Sequence, residues 1–303
     1  MKAIIYTIII VMITINSSIG HNIVVPRIGD TSSRFMSISQ ENKLGSIIYS
    51  QILGSFNLVT DPLITGYVQM LGNRLLVSDY NSSINYRFLV AKNPTINAFA
   101  TPGGVIVINS GLIQKTKTEA ELASVMAHEI AHVKARHLSR MHEESSGVNI
   151  SSALSVIATI VAGMYSTDAL GKTLATTQQV NAQKQITFMR EHEKEADRLA
   201  INIMVNANIN PNAMSEFFKT LQKENNDSGA LEFLRTHPLT KNRIAETQNL
   251  ASRYKGNFSN DSFAYQFTSA RVSIERINTR IFISSYKYNP EITKITPSKI
   301  IDD

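Results

Sequence analysis

Apolar residues recur at intervals of three and four over several stretches, which predicts amphipathic helices. One helix follows Asp61 and Pro62, an N-cap with proline in the first turn, and its apolar positions continue to Leu75. Another is predicted to begin at Thr118, because Thr118 and Glu121 match a capping box, and to continue to about residue 142. Further helices are predicted from near residue 39, over about 174–206, after 210–211, over about 240–254 and from about 262.

Three short segments carry the pattern of strands instead. Residues 86–91, 98–100 and 105–109 are mostly apolar and include aromatic or β-branched side chains. The second and third segments flank residues 101–104, whose proline and two glycines are typical of a tight turn. The sequence therefore predicts a small set of strands before the helix that begins at Thr118.

Two apolar segments bear on contact with a membrane. Lys2 is followed by an apolar run of about 13 residues, short of the ~20 that a bilayer span needs, and then by small residues. This predicts a signal peptide cleaved after Gly20, with an uncleaved membrane anchor as the alternative. Residues 147–167 carry no charge, which fits either a helix buried in the domain or a membrane-surface or re-entrant segment.

The composition excludes some classes of site. Of 303 residues, 43% are hydrophobic, which is enough for a sizeable core. There is no cysteine, so any metal must be held by histidine and carboxylate. The net charge is +6, but the 30 Lys and Arg residues are scattered, so we predict solvated faces and no nucleic-acid partner.

The helix predicted from Thr118 contains the H-E-x-x-H motif of His128, Glu129 and His132. Residues four apart on a helix share a face, so the two imidazoles are able to converge on one tetrahedral ion, typically zinc. Glu129 is rotated by about 100° from His128, so it reaches a water on the metal and not the metal itself. Such a water has a lowered pKa, and Glu129 is predicted to act as its general base. The alternative is a solvent-facing stripe of His and Glu.

A third ligand is predicted on a second helix, in the segment from Arg190 to Asp197. A catalytic zinc site uses three protein ligands and keeps one position open. If Glu193 binds zinc, Asp197 lies one turn along the same face, where it is able to accept the free ring N–H of His128 or His132. A solvated run of charges is the alternative for this segment.

Other His and Glu residues near these motifs are predicted to lie outside the site. His192 is a rival ligand, but it faces away from the second carboxylate of the pair. Glu191 and Glu195 are interpreted as surface charges. His137 and His142 are off the face of the motif histidines and are predicted to be exposed.

Four motifs in order resemble one family of zinc metalloendopeptidases, the HtpX, Oma and CAAX-prenyl-protease family. They are the H-E-x-x-H motif, the E-x-x-x-D spacing of the second helix, residues 97–104, and Thr236-His237-Pro238 followed by Arg243-Ile244. The resemblance covers about residues 38–250. The predicted signal peptide indicates the periplasmic, BepA-like branch.

The resemblance implies an α+β fold, a mostly helical gluzincin metallopeptidase domain with a small antiparallel sheet. This domain is assigned to residues 21–250, after a signal peptide over residues 1–20. BepA-like members often continue into a long array of TPR repeats. Residues 251–303 are too short for one and are interpreted as a helical tail, the truncated start of such an array.

The resemblance also implies a zinc site with one ion per chain and Glu129 as the catalytic residue. The implied ligands are His128, His132 and Glu193. In such enzymes the residue equivalent to His237 caps the zinc and holds the enzyme latent. Arg243 is expected to steady the site or the developing oxyanion.

In the family, the strand after the Pro-Gly-Gly turn borders the cleft. A substrate in extended conformation is therefore expected to pair its backbone with an exposed strand edge here. The residues of this predicted edge are Val105, Ile106, Val107, Ile108 and Asn109. Core packing is the alternative for the same strand.

We therefore predict a secreted zinc metalloendopeptidase that cleaves polypeptide substrates, namely exported proteins that are misfolded or misassembled. The predicted location is the periplasm, with association with the outer membrane or a membrane surface. Two other hypotheses stay open. One is a chaperone-like binding module with a latent zinc site, and the other is a membrane-inserted protease, if residues 147–167 insert.

Overall fold

The computed structural model describes residues 36–79, 82–144, 179–223, 233–259 and 261–288. The predictions for the signal peptide and for residues 147–167 fall outside the described residues. No helix within these ranges is both long enough and apolar enough to span a bilayer.

Helices dominate the described residues and pack against a three-stranded sheet, which confirms the predicted α+β class. The strands are β1 (Arg87–Ala91), β2 (Ala98–Ala100) and β3 (Val105–Asn109). The helices are α1 (Ile38–Ser55), α2 (Pro62–Leu75), α3 (Ser110–Lys115), α4 (Glu119–Lys134), α5 (His137–Glu144), α6 (Gln179–Asn206), α7 (Asn212–Lys223), α8 (Lys241–Ala251) and α9 (Phe263–Tyr288).

The sheet is mixed, not antiparallel as predicted, because β1 and β3 run parallel while β2 and β3 run antiparallel. β3 lies in the centre, hydrogen-bonded on both sides, and all five of its residues are buried. The prediction that Val105–Asn109 offers an exposed edge is therefore wrong, and core packing describes this strand. The reason is the path of the chain, since β3 inserts between the two earlier strands.

The outer edge of the sheet next to α4 belongs to β2. Hydrogen-bonded and non-bonded pairs alternate in an antiparallel ladder. Backbone bonds of 2.9 and 3.0 Å join the residues just outside β2 to β3. Phe99 therefore directs its backbone groups at β3, whereas Ala98 and Ala100 direct theirs outward. Within the described ranges, no strand pairs with this outer edge.

Two helices begin at the predicted caps. Asp61 Oδ1 accepts the N–H of Leu63 (2.9 Å), and Thr118 Oγ1 accepts the N–H of Glu121 (3.1 Å). The reciprocal half of the predicted capping box differs, because the Glu121 carboxylate accepts the N–H of Lys117 (2.7 Å) instead. The Asp61 and Thr118 oxygens satisfy N–H groups of the first turn that have no partner inside the helix.

The single helix predicted to reach residue 142 is broken into α4 and α5. Arg136, between them, has a φ of 54°, the left-handed conformation that non-glycine residues rarely adopt. Its Nε donates to the buried carboxylate of Glu41 on α1 (3.0 Å), and its Nη2 donates to the carbonyl of Met36. These contacts hold the turn in place. The turn redirects the chain, so His137 points into the molecule.

The central helix α4 packs along α6 through small side chains. Ala127 and Ala131 on α4 and Ala196 and Ala200 on α6 are fully buried. The separation of two packed helices depends on the side chains at their contact, so alanines allow a close approach. Polar residues beside these alanines are thereby brought within bonding distance of one another.

The last described helix, α9, packs against α2 and α3. The hydroxyl of Tyr265 donates to the carbonyl of Thr116 (2.7 Å), and Nε2 of Gln114 donates to the carbonyl of Val272 (3.2 Å). The tail helix predicted from the sequence is therefore anchored to the same body that contains α4.

Candidate metal centre

Three side chains from α4 and α6 converge in the buried space between these helices. Nε2 of His128 lies 3.0 Å from Nε2 of His132. Oxygens of the Glu193 carboxylate lie 3.3 Å from Nε2 of His128 and 3.2 Å from Nε2 of His132. A tetrahedral zinc site with bonds of about 2.0–2.1 Å has ligand-to-ligand distances of about 3.3 Å. The spacing and the chemistry of these donors therefore fit zinc.

His237 lies against the same donors. Its Nδ1 lies 3.3 Å from Nε2 of His128 and 3.2 Å from each oxygen of Glu193. Donor atoms of His128, His132, Glu193 and His237 all lie within 4.8 Å of one another. The backbone N–H of His237 donates to the carbonyl of Phe233 (2.8 Å), which fixes the start of the loop. His237 is therefore a fourth candidate donor at this site.

The carboxylate of Glu129 lies beside this cluster without belonging to it. It is buried, and one of its oxygens lies 3.3 Å from Nε2 of His237. The backbone of Ala100 on β2 forms a hydrogen bond with Glu129. Burial raises the pKa of Glu129 above the ordinary range of a glutamate. The group therefore adjoins both the candidate metal position and the outer edge of β2.

Asp197 and Arg243 lie behind the ligands. Nδ1 of His128 is 3.0 Å from Oδ1 of Asp197. Arg243 donates to both oxygens of Asp197 at 2.8 Å and lies 2.8 Å from Oε2 of Glu193. Burial alone would raise the pKa of Asp197, but Arg243 outweighs it and holds that pKa below its usual value. Arg243 therefore forms ion pairs with two buried carboxylates at once.

The two motif histidines differ in electrostatic environment. Burial lowers the pKa of His132 to about 3, so its imidazole is neutral with a lone pair available for a metal. Burial also opposes charge on His128, but Glu193 and Asp197 on either side raise its pKa to about 10. The carboxylates thus make this pocket favourable for positive charge.

His137 is buried, so the prediction that it is exposed is wrong. Its Nδ1 lies 2.8 Å from Nδ1 of His132, and its Nε2 lies 3.2 Å from Oε2 of Glu195. Glu195, interpreted as a surface charge, also accepts from Nη1 of Arg140 (2.9 Å). His192 stacks on His137 with ring centroids 4.2 Å apart and lies outside the donor cluster. Neither proline nor glycine marks the helix break that buries His137, so the sequence carried no local signal for it.

The structure brings most of the predicted site residues into one cluster. These residues are His128, Glu129, His132, Glu193, Asp197, His237 and Arg243. The predicted edge strand is the exception, since β3 is the central strand and β2 borders Glu129. The side chain of His142 lies outside the described residues.

Comparisons with known proteins point to one family. The model of peptidase family M48 matches residues 62–251. A beta-barrel assembly-enhancing protease from Yersinia pestis is 36% identical over 253 residues, which is 82% of this chain and 51% of that protein. The protein of the same name from Escherichia coli (strain K12) is 35% identical over 232 residues, 76% and 48% of the two chains. The mitochondrial metalloendopeptidase OMA1 of Schizosaccharomyces pombe is 28% identical over 217 residues, 70% and 61% of the two chains. The chain spans about half the length of the two bacterial relatives.

Proposed function

This chain belongs to peptidase family M48, and we propose that it is a zinc-dependent metalloendopeptidase. One observation carries the proposal. His128, His132 and Glu193 converge at separations that fit a tetrahedral zinc ion, with the carboxylate of Glu129 beside them.

The ligand residues would hold the ion through Nε2 of His128, Nε2 of His132 and the carboxylate of Glu193. A zinc ion held there supplies a Lewis acid for the peptide carbonyl and lowers the pKa of a water ligand to about 7. Asp197 would orient the ring of His128 by accepting its Nδ1–H, a contact that its distance of 3.0 Å supports. Arg243 would steady the two carboxylates, because its donor groups face them.

Glu129 would move the proton. Its carboxylate takes a proton from the attacking water and returns it to the nitrogen that leaves as the peptide C–N bond breaks. The raised pKa of Glu129 suits this task, because a group that first accepts and then donates works best with a pKa near the reaction pH.

A polypeptide substrate would bind as an extra strand on the outer edge of β2. Ala98 and Ala100 direct backbone groups outward there. The N–H of Ala98 is hydrogen-bonded to Asn97 Oδ1 (2.9 Å) and the backbone of Ala100 to Glu129, so a substrate would pair with the outward carbonyls. Backbone pairing gives affinity with little dependence on side chains. In this proposal β2 takes the place of β3 as the strand that binds substrate. A peptide bound there would have its scissile bond next to Glu129.

The resting enzyme would be latent, with His237 in the fourth ligand position. This part of the proposal is supported by the distances of 3.2–3.3 Å between Nδ1 of His237 and the other donors. Water and substrate would gain access when the loop that carries His237 moves away.

The substrates would be exported proteins that are misfolded or misassembled, in the periplasm or at a membrane surface. The support is the predicted signal peptide and the names of the bacterial relatives, which refer to beta-barrel assembly. These features support a class of substrate and a compartment, and they identify no individual substrate protein.

The variant Glu129→Gln tests the proposal. It should retain zinc at one ion per chain and lose at least 100-fold of the cleavage of casein, in line with the ~10²–10⁴-fold contribution of general bases. Zinc content by elemental analysis and casein cleavage are measured on the same samples. Glu191→Gln, a matched change of an exposed glutamate on α6, should behave as wild type.

The other outcomes identify the alternatives. If Glu129→Gln abolishes cleavage but retains full biological activity, the chain acts as a binding module. Purified protein that binds no zinc, or a variant that cleaves casein at the wild-type rate, contradicts the proposed reaction.

A further inference from the structure

His132 presents its second ring nitrogen to another histidine. Nδ1 of His132 lies 2.8 Å from Nδ1 of His137, on the edge of the ring that does not face the candidate zinc position. His137 is 3% exposed, and its Nε2 lies 3.2 Å from Oε2 of Glu195. Arg140 donates to the same oxygen at 2.9 Å. A continuous polar series therefore runs from His132 through His137 and Glu195 to Arg140.

The proton positions in this series follow from a zinc-bound His132. A histidine that binds a metal through Nε2 is neutral and carries its proton on Nδ1. That proton points at Nδ1 of His137, which must be the acceptor, so His137 carries its own proton on Nε2. The Nε2–H then donates to Glu195, whose charge Arg140 balances. Each donor in the series meets one acceptor.

We propose that His137 is a positioning residue for the zinc ligand His132. The inference rests on the proposed zinc site and adds a residue to it. Metal-binding histidines are usually oriented by a carboxylate or a backbone carbonyl at the other ring nitrogen. His128 has the carboxylate of Asp197 at 3.0 Å from its other ring nitrogen, whereas His132 has an imidazole there that itself lies 3.2 Å from a carboxylate.

Packing and a backbone turn place His137 here. Its ring stacks on His192 at an interplanar angle of 11° and meets the ring of His132 edge-on at 75°. The left-handed turn at Arg136 sets the start of α5, and the buried carboxylate of Glu41 binds that turn. A straight continuation of α4 would carry residue 137 away from the zinc-facing side, so the break is what makes the contact.

Two substitutions distinguish the hydrogen-bonding role of the His137 ring nitrogens from the packing role of its ring. His137→Phe keeps a ring against His192 but leaves the Nδ1–H of His132 without an acceptor. It should weaken zinc binding by about 10–100-fold, the range seen when the outer partners of metal ligands are removed. His137→Asn offers an amide oxygen close to the position of Nδ1, so it should recover most of the affinity.

The readout is the zinc dissociation constant of the metal-free full chain, measured by competition with a chromogenic chelator. The visible spectrum of the cobalt-loaded protein is recorded as well, since a loosened ligand changes it and a merely structural loss does not. Lys134→Ala is the control, because it removes an exposed ion pair with Asp79 at the end of α4 without touching His132 or the turn at Arg136. Its zinc affinity and cobalt spectrum should match wild type.

A folded His137→Phe variant with wild-type zinc affinity and cobalt spectrum overturns the inference and leaves the proposed function intact. Failure of the wild-type chain to bind zinc overturns the proposed function itself. If His137→Phe does not fold, ¹⁵N-histidine NMR of the zinc-loaded wild type decides. An Nε2–H tautomer of His137 supports the inference, and an Nδ1–H tautomer contradicts it.

Discussion

Arg243 shows how strongly the charge balance of the site depends on one residue. Arg243 is 3% exposed; its guanidinium donates to the carboxylate of Asp197 and forms an ion pair with Glu193. It also lies over the ring of Phe218, with 5.0 Å from its central carbon to the ring centroid. Buried carboxylates are stable as ions only with such a partner.

Arg243→Met should lower the free energy of unfolding by about 3–5 kcal/mol, because it leaves two buried carboxylates without their counter-charge. Urea unfolding in the presence of a chelator measures this separately from metal binding. Lys219→Ala breaks an exposed ion pair with Glu216 and should change stability by less than about 0.5 kcal/mol. A loss below about 1 kcal/mol for Arg243→Met would show that the carboxylates are protonated or solvated.

His237→Ala should increase the rate of casein cleavage and leave zinc at one ion per chain. The substitution opens the fourth position, while His128, His132 and Glu193 remain. Initial rates at equal zinc content give the comparison, and Lys241→Ala, an exposed change just after the loop, is the control. Slower cleavage would instead assign His237 a direct part in the reaction.

Among the elements, α1 decides where the turn between β2 and β3 lies. A Cβ atom on Gly45 of α1 would lie 2.8 Å from Cα of Gly103, so the helix and the turn touch through their backbones. Gly103 also has a φ of 77°, which favours glycine. Because this turn follows β2 directly, the contact fixes the edge proposed to bind substrate.

Gly45→Ala should destabilise the protein by about 1–3 kcal/mol, since α1 must move off the turn to accommodate a methyl group. Gly54→Ala in the same helix meets no atom within 4 Å. It should be neutral or stabilise by about 0.5–1 kcal/mol through helix propensity. Chemical denaturation of both variants gives the comparison, and equal effects would mean that the contact between α1 and the turn is loose.

Across the whole molecule, the candidate ligands come from three separate parts of the chain. His128 and His132 lie on α4, Glu193 lies on α6, and His237 lies in the loop before α8. An ion bound here would contact all three parts, and these parts come together only in the native state. Binding to the native state therefore adds to stability.

Removal of zinc should lower the melting temperature by about 10 °C. Free zinc at ~1,000 times the dissociation constant stabilises by ~4 kcal/mol, and each kcal/mol shifts the midpoint of a domain of this size by ~2–4 °C. Differential scanning calorimetry with zinc and with chelator measures the shift, which His132→Ala should abolish. Equal melting temperatures in both conditions would contradict a zinc site in the native chain.

Local spacing was sufficient to locate the helix that carries His128 and His132 and the face shared by Glu193 and Asp197. Side chains four apart lie on one side of any helix, and caps such as Asp61 act within a few residues of themselves. Such features depend on neighbours in the chain, so they can be inferred without knowing the fold.

Contacts between segments distant in sequence determined the strand order, the helix break at Arg136 and the approach of α4 to α6. β3 became the central strand because β1 and β2 pair with it from both sides, and strand pairing joins segments distant in sequence. The break at Arg136 depends on Glu41, and the break in turn buries His137 against His132. The approach of α4 and α6 likewise depends on alanines from two helices packing together. These outcomes depend on the packing energy between segments, and the pattern of apolar residues within one segment carries no information about that energy.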